Sequence, residues 1–465
     1  MIALSLINAV VLLLIILIDR KIFRGNVFSP GAIFAYFALL PALSGIYFSF
    51  RSDKFDEIIL AQLDAAYHDR YYANVALLLT ILSNITVYVG IAMGYFARGE
   101  VTAFVFNRVF MFRGFESGDR GEKNIDKRVW LFGGIVFALG LVAYVAFLTI
   151  IGGLFALWAE LHLRSVKNAG LGYLQTFFMM AIQIGATSML YISFKYDRTG
   201  RSIIIILLSA FVLGSIGARG PVLTFLLSIL LLYHFKIKKF QKLISPQLVA
   251  LSLFVPIFVV AMLQFRGNSP GGPSKEFSEL ASNSIGSIEQ GFIARIGRIE
   301  RDMVILKYFD DNDFWFGASY LGLIYAPIPR SLFPEKPPND TGMYLRVMAL
   351  GDRVSPPQPV STLGSSGWPE GNWAGYMNWG FPGFFFLFYV SGYLLGGFYG
   401  YLVRNNFPIF ATCIYSVFAV GGAPSLSVAG LINLVMLFLV ATLLMVTVTP
   451  LIGSARKLMV ILSSR

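Results

Sequence analysis

Apolar stretches of roughly membrane-spanning length alternate with polar segments along this chain of 465 residues. None of eleven such stretches contains Lys, Arg, Asp or Glu, although the chain has 37 basic and 25 acidic side chains. A charge at bilayer depth costs about 2.5 kcal/mol or more, and about 20 apolar residues cross the hydrocarbon core as a helix. The pattern therefore predicts an all-α polytopic membrane protein with about 11 transmembrane helices. The predicted spans are residues 2–18, 28–50, 73–97, 129–157, 173–194, 202–217, 220–235, 247–265, 377–403, 407–425 and 429–452.

Composition and charge agree with this class. Hydrophobic residues make up 56% of the chain and charged residues 13%, whereas soluble proteins average about 25% charged residues. If the spans alternate in direction, one face carries 21 Lys and Arg against 7 Asp and Glu, and the other 16 against 18. The positive-inside rule then places the C-terminus in the cytoplasm and the N-terminus outside. The net charge of +12 is thus a topology signal, and we expect no nucleic-acid partner.

The spans divide the chain into three predicted parts, namely an N-terminal bundle of about eight helices (1–265), an outer-face loop (266–376) and about three C-terminal helices (377–465). The loop holds 11 of the 20 prolines and is rich in aromatic residues, so we expect a folded external lid. Within the loop, apolar residues recur every three or four positions from Ile285 to Leu306, as on one face of an amphipathic helix. We expect this helix to lie along the membrane interface or to cap the bundle, and to end over Tyr308–Asp313.

Arg219 lies in a Gly-rich turn, Gly217–Pro221, between two unusually short apolar stretches. About 15 apolar residues on each side give helices of about 22 Å, shorter than the hydrocarbon core of about 30 Å. Because charges at Arg201 and Lys236 hold the other ends on the cytoplasmic side, the turn should lie below the outer surface, with Arg219 in an outward-facing cavity. A buried arginine in a membrane bundle indicates function. The alternative is an interfacial arginine that reaches the headgroups.

Other cations on the predicted outer face suit a phosphate ligand. A guanidinium is permanently charged and binds phosphate through paired hydrogen bonds, so arginines at membrane depth suit a lipid-linked pyrophosphate. Prolines between Pro327 and Pro337 restrict the backbone to extended or turn geometry, which presents Arg330 and Lys336 rigidly. Headgroup anchoring and simple stiffening of the loop are the alternatives. The candidate contacts are Arg164, Lys167, Arg219, Arg266, Arg295, Arg298, Arg330 and Lys336.

Residues 365–380 lead into a predicted span and combine aromatic rings with asparagines. Apolar stacking and directional hydrogen bonds are what a sugar ring requires, although Trp and Tyr also form interfacial belts without any ligand. The candidate sugar contacts are Trp368, Asn372, Tyr376 and Asn378.

Glu370 is the candidate general base. A carboxylate near the bilayer surface can accept a proton from an acceptor hydroxyl, and desolvation there would raise its pKa and improve it as a base. His162 on the outer face is a second candidate. We expect no metal ion and no cofactor, since the acidic run Asp310–Asp313 lacks EF-hand spacing and no nucleotide-binding motif occurs.

Three of these motifs resemble those of a known family. The turn Gly217-Ala218-Arg219-Gly220, the string Ile328-Pro329-Arg330-Ser331-Leu332-Phe333-Pro334-Glu335-Lys336-Pro337, and Glu370 followed by Asn378-Trp379-Gly380 appear in the same order as in the O-antigen polymerase (Wzy) family. The enterobacterial common antigen polymerase is a relative of that family. The hydropathy resemblance extends over most of the chain, while the specific motifs cover about 60 residues.

The resemblance implies a multi-pass polymerase of the bacterial inner membrane with its active site facing the periplasm. Such an enzyme has a GT-C-like helical fold, is a metal-independent glycosyltransferase and uses undecaprenyl-pyrophosphate-linked oligosaccharides. It moves the growing glycan from its lipid carrier to a new lipid-linked repeat unit, alongside a flippase and a chain-length regulator. The resemblance makes Arg219, Arg266 and Arg330 the expected essential arginines.

Two other activities use the same lipid-linked substrate and stay open. An O-antigen ligase has a similar architecture but transfers the glycan to lipid A core. A flippase or transporter would need the arginines but no base, and transporters commonly show internal repeats, of which the chain has none. A non-catalytic scaffold would not need a buried Arg219. The repeat unit, the linkage formed and the oligomeric state do not follow from the sequence.

Overall fold

A computed structural model describes residues 1–23, 26–97, 122–159, 170–217, 219–240, 299–328, 330, 332–363, 371–419 and 424–463. Over these ranges the regular secondary structure is entirely helical. The main helices are α1 (Ile2–Ile22), α2 (Pro30–Phe50), α3 (Arg70–Phe96), α4 (Glu122–Ile151), α5 (Gly172–Lys195), α6 (Thr199–Ser215), α7 (Arg219–Lys236), α8 (Ile299–Asp311), α9 (Gly342–Met348), α10 (Ala374–Arg404), α11 (Ile409–Ala419) and α12 (Val428–Ser463).

The helices match the hydropathy pattern. Six of them, α1 to α5 and α10, are long and apolar enough to cross a membrane, and four shorter apolar helices cover α6, α7, α11 and the start of α12. These helices overlap ten of the predicted spans, while the span predicted at 247–265 lies outside the described residues. The prediction of an α-helical membrane protein is confirmed. The number of spans and a GT-C-like arrangement stay predictions.

Glycines bring α3 and α10 into backbone contact. A side-chain carbon at Gly396 would lie 2.0 Å from the carbonyl oxygen of Ile91, and one at Gly392 would lie 2.1 Å from that of Val87. Both distances are far below van der Waals contact, so neither position has room for any side chain. Small residues four apart allow helices in lipid to pack this closely. The glycines that face the partner backbone are Gly90, Gly94, Gly392 and Gly396.

Segments that share a face in the predicted topology contact each other. At what we call the outer end, formed by residues 51–69, 312–363 and 424–427, Tyr67 Oη donates to the Met348 carbonyl at 2.7 Å. The Tyr320 hydroxyl there donates to the Leu426 carbonyl at 3.0 Å. These loops therefore lie at the same end of the helices, as alternation of the predicted spans requires.

The opposite or inner end, formed by residues 26–29, 196–198, 237–240 and 405–408, is joined around His234. Its Nε2 lies 2.6 Å from Asn26 Oδ1, and its Nδ1 accepts the Phe240 N–H at 3.0 Å. The Asn26 amide also donates to Tyr399 Oη at 2.6 Å. Two helices, α7 and α10, and two loops thus share one polar network.

The predicted amphipathic helix ends where the sequence indicated. We expected it to end over Tyr308–Asp313, and α8 ends at Asp311. Tyr308 and Phe309 in its last turn are buried and continue the apolar stripe. Helix α8 packs against α3 and α9, so its described part caps the bundle. Residues 285–298 of the predicted stripe lie outside the described residues.

The glycine contact predicts a strong asymmetry between two alanine substitutions. Gly396→Ala should force α3 and α10 apart and lower the free energy of unfolding by about 1–3 kcal/mol, the usual cost of overpacking. Gly134→Ala in α4 is the matched control, because no atom lies within 4 Å of its added carbon. Thermal unfolding in detergent, followed by gel filtration, measures both variants. Equal melting temperatures for the two variants would contradict close packing at Gly396.

Candidate functional site

The described residues include five of the predicted site side chains, all at or next to the outer end. These are Arg330, Lys336, Asn372, Tyr376 and Asn378. Arg219 begins α7, directly after the turn at Gly217, whose φ is 66°, but its side chain is outside the described part. The following predicted residues also lie outside it and stay predictions: Arg164, Lys167, Arg266, Arg295, Arg298, Trp368 and Glu370.

Lys336 points into the protein. The residue is only 3% exposed, and its Nζ donates to the carbonyl oxygens of Ala326 at 2.8 Å and Ile328 at 2.9 Å. Burial, followed by the neighbouring Arg330 guanidinium, lowers the pKa of the Lys336 amine. The amine therefore fixes the shape of the proline-rich loop from inside. We predicted Lys336 as a substrate contact, and that role stays a prediction which this burial does not favour.

Arg330 is held by the same loop. It is half-buried, and its Nη1 donates to the Lys336 carbonyl at 3.0 Å. A guanidinium has five N–H donors in a rigid plane, so one bond orients the plane while other donors can meet a ligand. On either side of Arg330 in the chain, Ile328 and Leu332 are exposed apolar residues. We predicted that this loop presents Arg330 and Lys336 rigidly to a ligand. The half-buried Arg330 fits that prediction better than the buried Lys336 does.

A tyrosine that sequence reasoning missed ties this loop to the bundle. The hydroxyl of Tyr173, near the start of α5, donates to the Ala326 carbonyl. That oxygen also accepts from Lys336, so two donors converge on one backbone atom. A tyrosine at the edge of a span is the signal that could have pointed to an interfacial contact.

Helix α10 is broken where the outer loop enters it. Trp379 and Gly380 have non-helical backbone angles, and Gly380 has φ 64° and ψ −149°, a region that is essentially restricted to glycine. The carbonyl oxygens of Met377 and Asn378 are thereby released from the helix. They accept the N–H groups of Trp315 at 3.0 Å and Phe316 at 2.9 Å respectively. The break thus attaches the outer loop to the span through backbone bonds.

The asparagines predicted to bind sugar make internal bonds instead. The Asn378 amide donates to Ser319 Oγ at 2.8 Å and to the Ala374 carbonyl at 2.7 Å, while Asn372 Oδ1 accepts the Leu426 N–H at 2.7 Å. Both residues are buried. Amide groups satisfied in this way hold the entry to α10 together, so sugar contacts for the two asparagines stay predictions that their burial does not favour.

Tyr376 belongs to the same packed region. Its ring lies at 5.8 Å from Trp373 and 5.3 Å from Phe381 between centroids, both in edge-to-face geometry. The residue is buried. A stacking surface for sugar at Tyr376 also stays a prediction.

Arg301 was missed, although it stands three residues after the predicted Arg298 and so on the same helical face. Its Nε lies 2.5 Å from Asp302 Oδ1, and its Nη1 would be 3.8 Å from a side-chain carbon at Gly371. Gly371 follows the predicted base Glu370 in the chain. The start of α8 therefore places a cation, paired with Asp302, close to Gly371.

Asp302 also lines a small cavity between α1, α2, α3 and α8. Asn8 and Ser44 contribute polar atoms to its wall. The cavity has a volume of about 30 Å³, enough for a water molecule but not for a sugar ring. This cavity is therefore not the predicted substrate site.

The burial of Lys336 makes a prediction that separates its two possible roles. Lys336→Met keeps the side-chain length but removes the donors, at a cost of about 1–3 kcal/mol for unsatisfied carbonyls. Hydrogen exchange of the amides in residues 325–337 should increase. Lys307→Met on α8 is the control, because its ion pair with Asp311 is at the surface and such pairs contribute little. Unchanged exchange combined with lost activity would instead support a direct substrate contact.

Comparisons with protein-family models, with curated proteins and with solved structures found no match for this chain.

Proposed function

We propose that this protein polymerises lipid-linked oligosaccharide repeat units. It transfers the growing glycan from undecaprenyl pyrophosphate to a new lipid-linked repeat, as its resemblance to the O-antigen polymerase family implies. The observation that carries the proposal is the orientation of Arg330. This half-buried arginine is held at one nitrogen by the Lys336 carbonyl and is flanked in the chain by exposed apolar residues. Such a cation suits a pyrophosphate whose lipid tail lies in the bilayer.

In the proposed reaction, a hydroxyl oxygen of the acceptor repeat attacks the anomeric carbon of the donor glycan. The bond from that carbon to the pyrophosphate oxygen breaks, and the electron pair leaves with the pyrophosphate. Arg330, together with Arg219 and Arg266, stabilises the charge that develops there, because preorganised donors act most strongly where charge forms. Glu370 accepts the proton of the attacking hydroxyl. Arg301 contributes a further cation close to Gly371, the residue that follows Glu370 in the chain.

Two alternatives share the pyrophosphate contact. An O-antigen ligase would use the same donor but transfer the glycan to lipid A core, and a flippase would move the lipid-linked oligosaccharide without breaking a bond. The lopsided arrangement, with α8, α9 and a folded loop at one end of the bundle, supports an enzyme over a transporter with two similar halves. The accepted acceptor distinguishes polymerase from ligase.

We further propose the bacterial inner membrane as the location, with the outer end facing the periplasm and the C-terminus in the cytoplasm. The charge asymmetry of the two faces supports this orientation. A flippase that supplies repeat units and a chain-length regulator would be its partners.

The orientation is testable with single cysteines, because the native Cys413 is buried. Ser361→Cys, exposed at the outer end, should react with an impermeant thiol reagent in intact spheroplasts. Thr199→Cys, exposed at the first residue of α6 next to the inner end, should react only after the cells are lysed. The reverse pattern would place the outer end in the cytoplasm and contradict the proposed location of the site.

The pyrophosphate role predicts the effect of changing Arg330. Arg330→Ala should reduce polymerisation by purified protein, with lipid-linked repeats as the only substrates, by about 100-fold, the usual cost of removing one transition-state donor. Arg330→Lys should be similarly impaired, since an ammonium cannot make a paired contact. Arg353→Ala is the control, an exposed arginine at the same end, and should keep normal activity.

Gel analysis of the glycan products gives chain length and rate, and gel filtration confirms that each variant is folded. Full-length polymer from folded Arg330→Ala would remove Arg330 from the mechanism. Transfer to lipid A core by the unmodified protein, without polymer, would favour the ligase.

A further inference from the structure

The outer loop contains an apolar segment that does not resemble a water-exposed loop. Between Asp313 and Glu335, Arg330 is the single charged residue. Phe316 is 76% exposed and Leu332 78% exposed. Several large apolar side chains exposed within one segment indicate an interaction site for a protein or a membrane. The exposed large apolar residues are Phe316, Leu321, Ile324, Ile328 and Leu332.

This segment lies beside the outer ends of three apolar helices. Tyr173 at the start of α5 donates to its Ala326 carbonyl. A side-chain carbon at Gly322 would lie 3.3 Å from Val428, the first residue of α12. The ring of Tyr320 stacks on that of Trp379 in α10, with centroids 5.3 Å apart and an angle of 18°. The segment is therefore continuous with the sides of helices that face the bilayer, where Phe381, Phe386 and Val435 are exposed.

Several backbone polar groups of this segment are hydrogen-bonded to other parts of the protein, as an apolar environment requires. Non-helical backbone at membrane depth is tolerated where its polar groups are satisfied by the protein. The N–H groups of Trp315 and Phe316 bond to carbonyls of α10 at 3.0 and 2.9 Å. The carbonyls of Ala326 and Ile328 accept from the buried Lys336 amine. These four backbone groups therefore have protein partners and need none from solvent.

The pattern of charge also favours lipid over a protein partner. Arg330 follows Ile328 and precedes Leu332 in the chain, and a long cationic side chain among interfacial apolar residues reaches the phosphate layer of a bilayer. The flanking Asp313 and Glu335 are exposed, which suits segment ends that return to water.

We propose that the described residues of this segment, 316–328, 330 and 332, are embedded in the membrane leaflet at the outer end, where Phe316, Ile324 and Leu332 contact lipid acyl chains and Arg330 lies at the depth of the lipid phosphates. The proposal rests on the membrane-protein class and not on the polymerase activity. It adds a consequence for the proposed site, because a pyrophosphate headgroup of a lipid-linked substrate would arrive at the same depth as Arg330.

The test is nitroxide accessibility in the full-length protein, reconstituted in phosphatidylglycerol and phosphatidylethanolamine nanodiscs without substrate. Spin labels at Ile324→Cys and Leu332→Cys should collide with oxygen several-fold more, relative to a water-soluble nickel chelate, than a label at Leu350→Cys. Leu350 is a matched control, an apolar residue 58% exposed next to the exposed Asp352 and Arg353. A label at Val435→Cys on α12 gives the lipid-facing reference.

Ratios at the two test positions equal to that of Leu350 would place the segment in water and overturn the proposal. Protection from both reagents would also overturn it, because a protein surface would then cover the segment. A photo-crosslinking phenylalanine analogue at Phe316 gives a second measurement, with phospholipid adducts as the expected product. Adducts to a second copy of the chain would contradict lipid contact. Since no substrate is present, these outcomes are independent of whether the protein polymerises glycans.

Discussion

The close approach of α3 and α10 is the contact on which the rest of the arrangement depends. In lipid, apolar side chains gain little by leaving the bilayer for a helix interface, so packing and backbone proximity have to hold helices together. At Gly396 the backbones are so close that an added carbon would lie 2.0 Å from Ile91 O. The same helix, α10, carries the outer loop at its start and Tyr399 of the inner network near its end. The contact between α3 and α10 thus fixes the position of the helix to which both the outer loop and the inner polar network are attached.

Internal satisfaction of polar groups is the second constraint, and it explains the orientation of Lys336. An irregular loop beside a membrane has carbonyl oxygens without helical partners, and leaving such groups buried and unpaired costs about 1–3 kcal/mol each. The Lys336 amine satisfies two of them, and the backbone carbonyl of the same residue holds Arg330. Lys336 therefore has two roles. Its side chain stabilises the loop, and its backbone carbonyl positions Arg330, the candidate ligand for pyrophosphate.

Much of the fold could be predicted from the sequence because the cost of burying charge in lipid leaves a pattern in the chain. The apolar helices, the sharing of faces by loops and the short helices around Gly217 follow from it. For the break at Trp379 and Gly380, Pro382 is a local signal. The hydrogen bonds from Trp315 and Phe316 that accompany the break come from a separate segment and leave no local pattern.

The candidate site was harder to predict for a chemical reason. Amides and aromatic rings that suit a sugar suit a packed interior equally well, and only the fold decides between the two. Asn378 donates a hydrogen bond to Ser319, which lies 59 residues earlier in the chain. A local sequence pattern cannot predict such a distant pair. Arg301 could have been found by spacing, since it lies three residues after Arg298 and so on the same helical face.

The bonds that place Arg330 run largely to main-chain oxygens, namely those of Ala326, Ile328 and Lys336. Every residue type has such an oxygen. Evolution can therefore exchange most side chains of this loop and keep its shape, provided that one lysine and one arginine stay. The shape of such a loop can therefore persist while its sequence diverges. Distant relatives are better sought by this arrangement, a buried lysine that bonds loop carbonyls beside an arginine held by the lysine's own carbonyl, than by sequence identity.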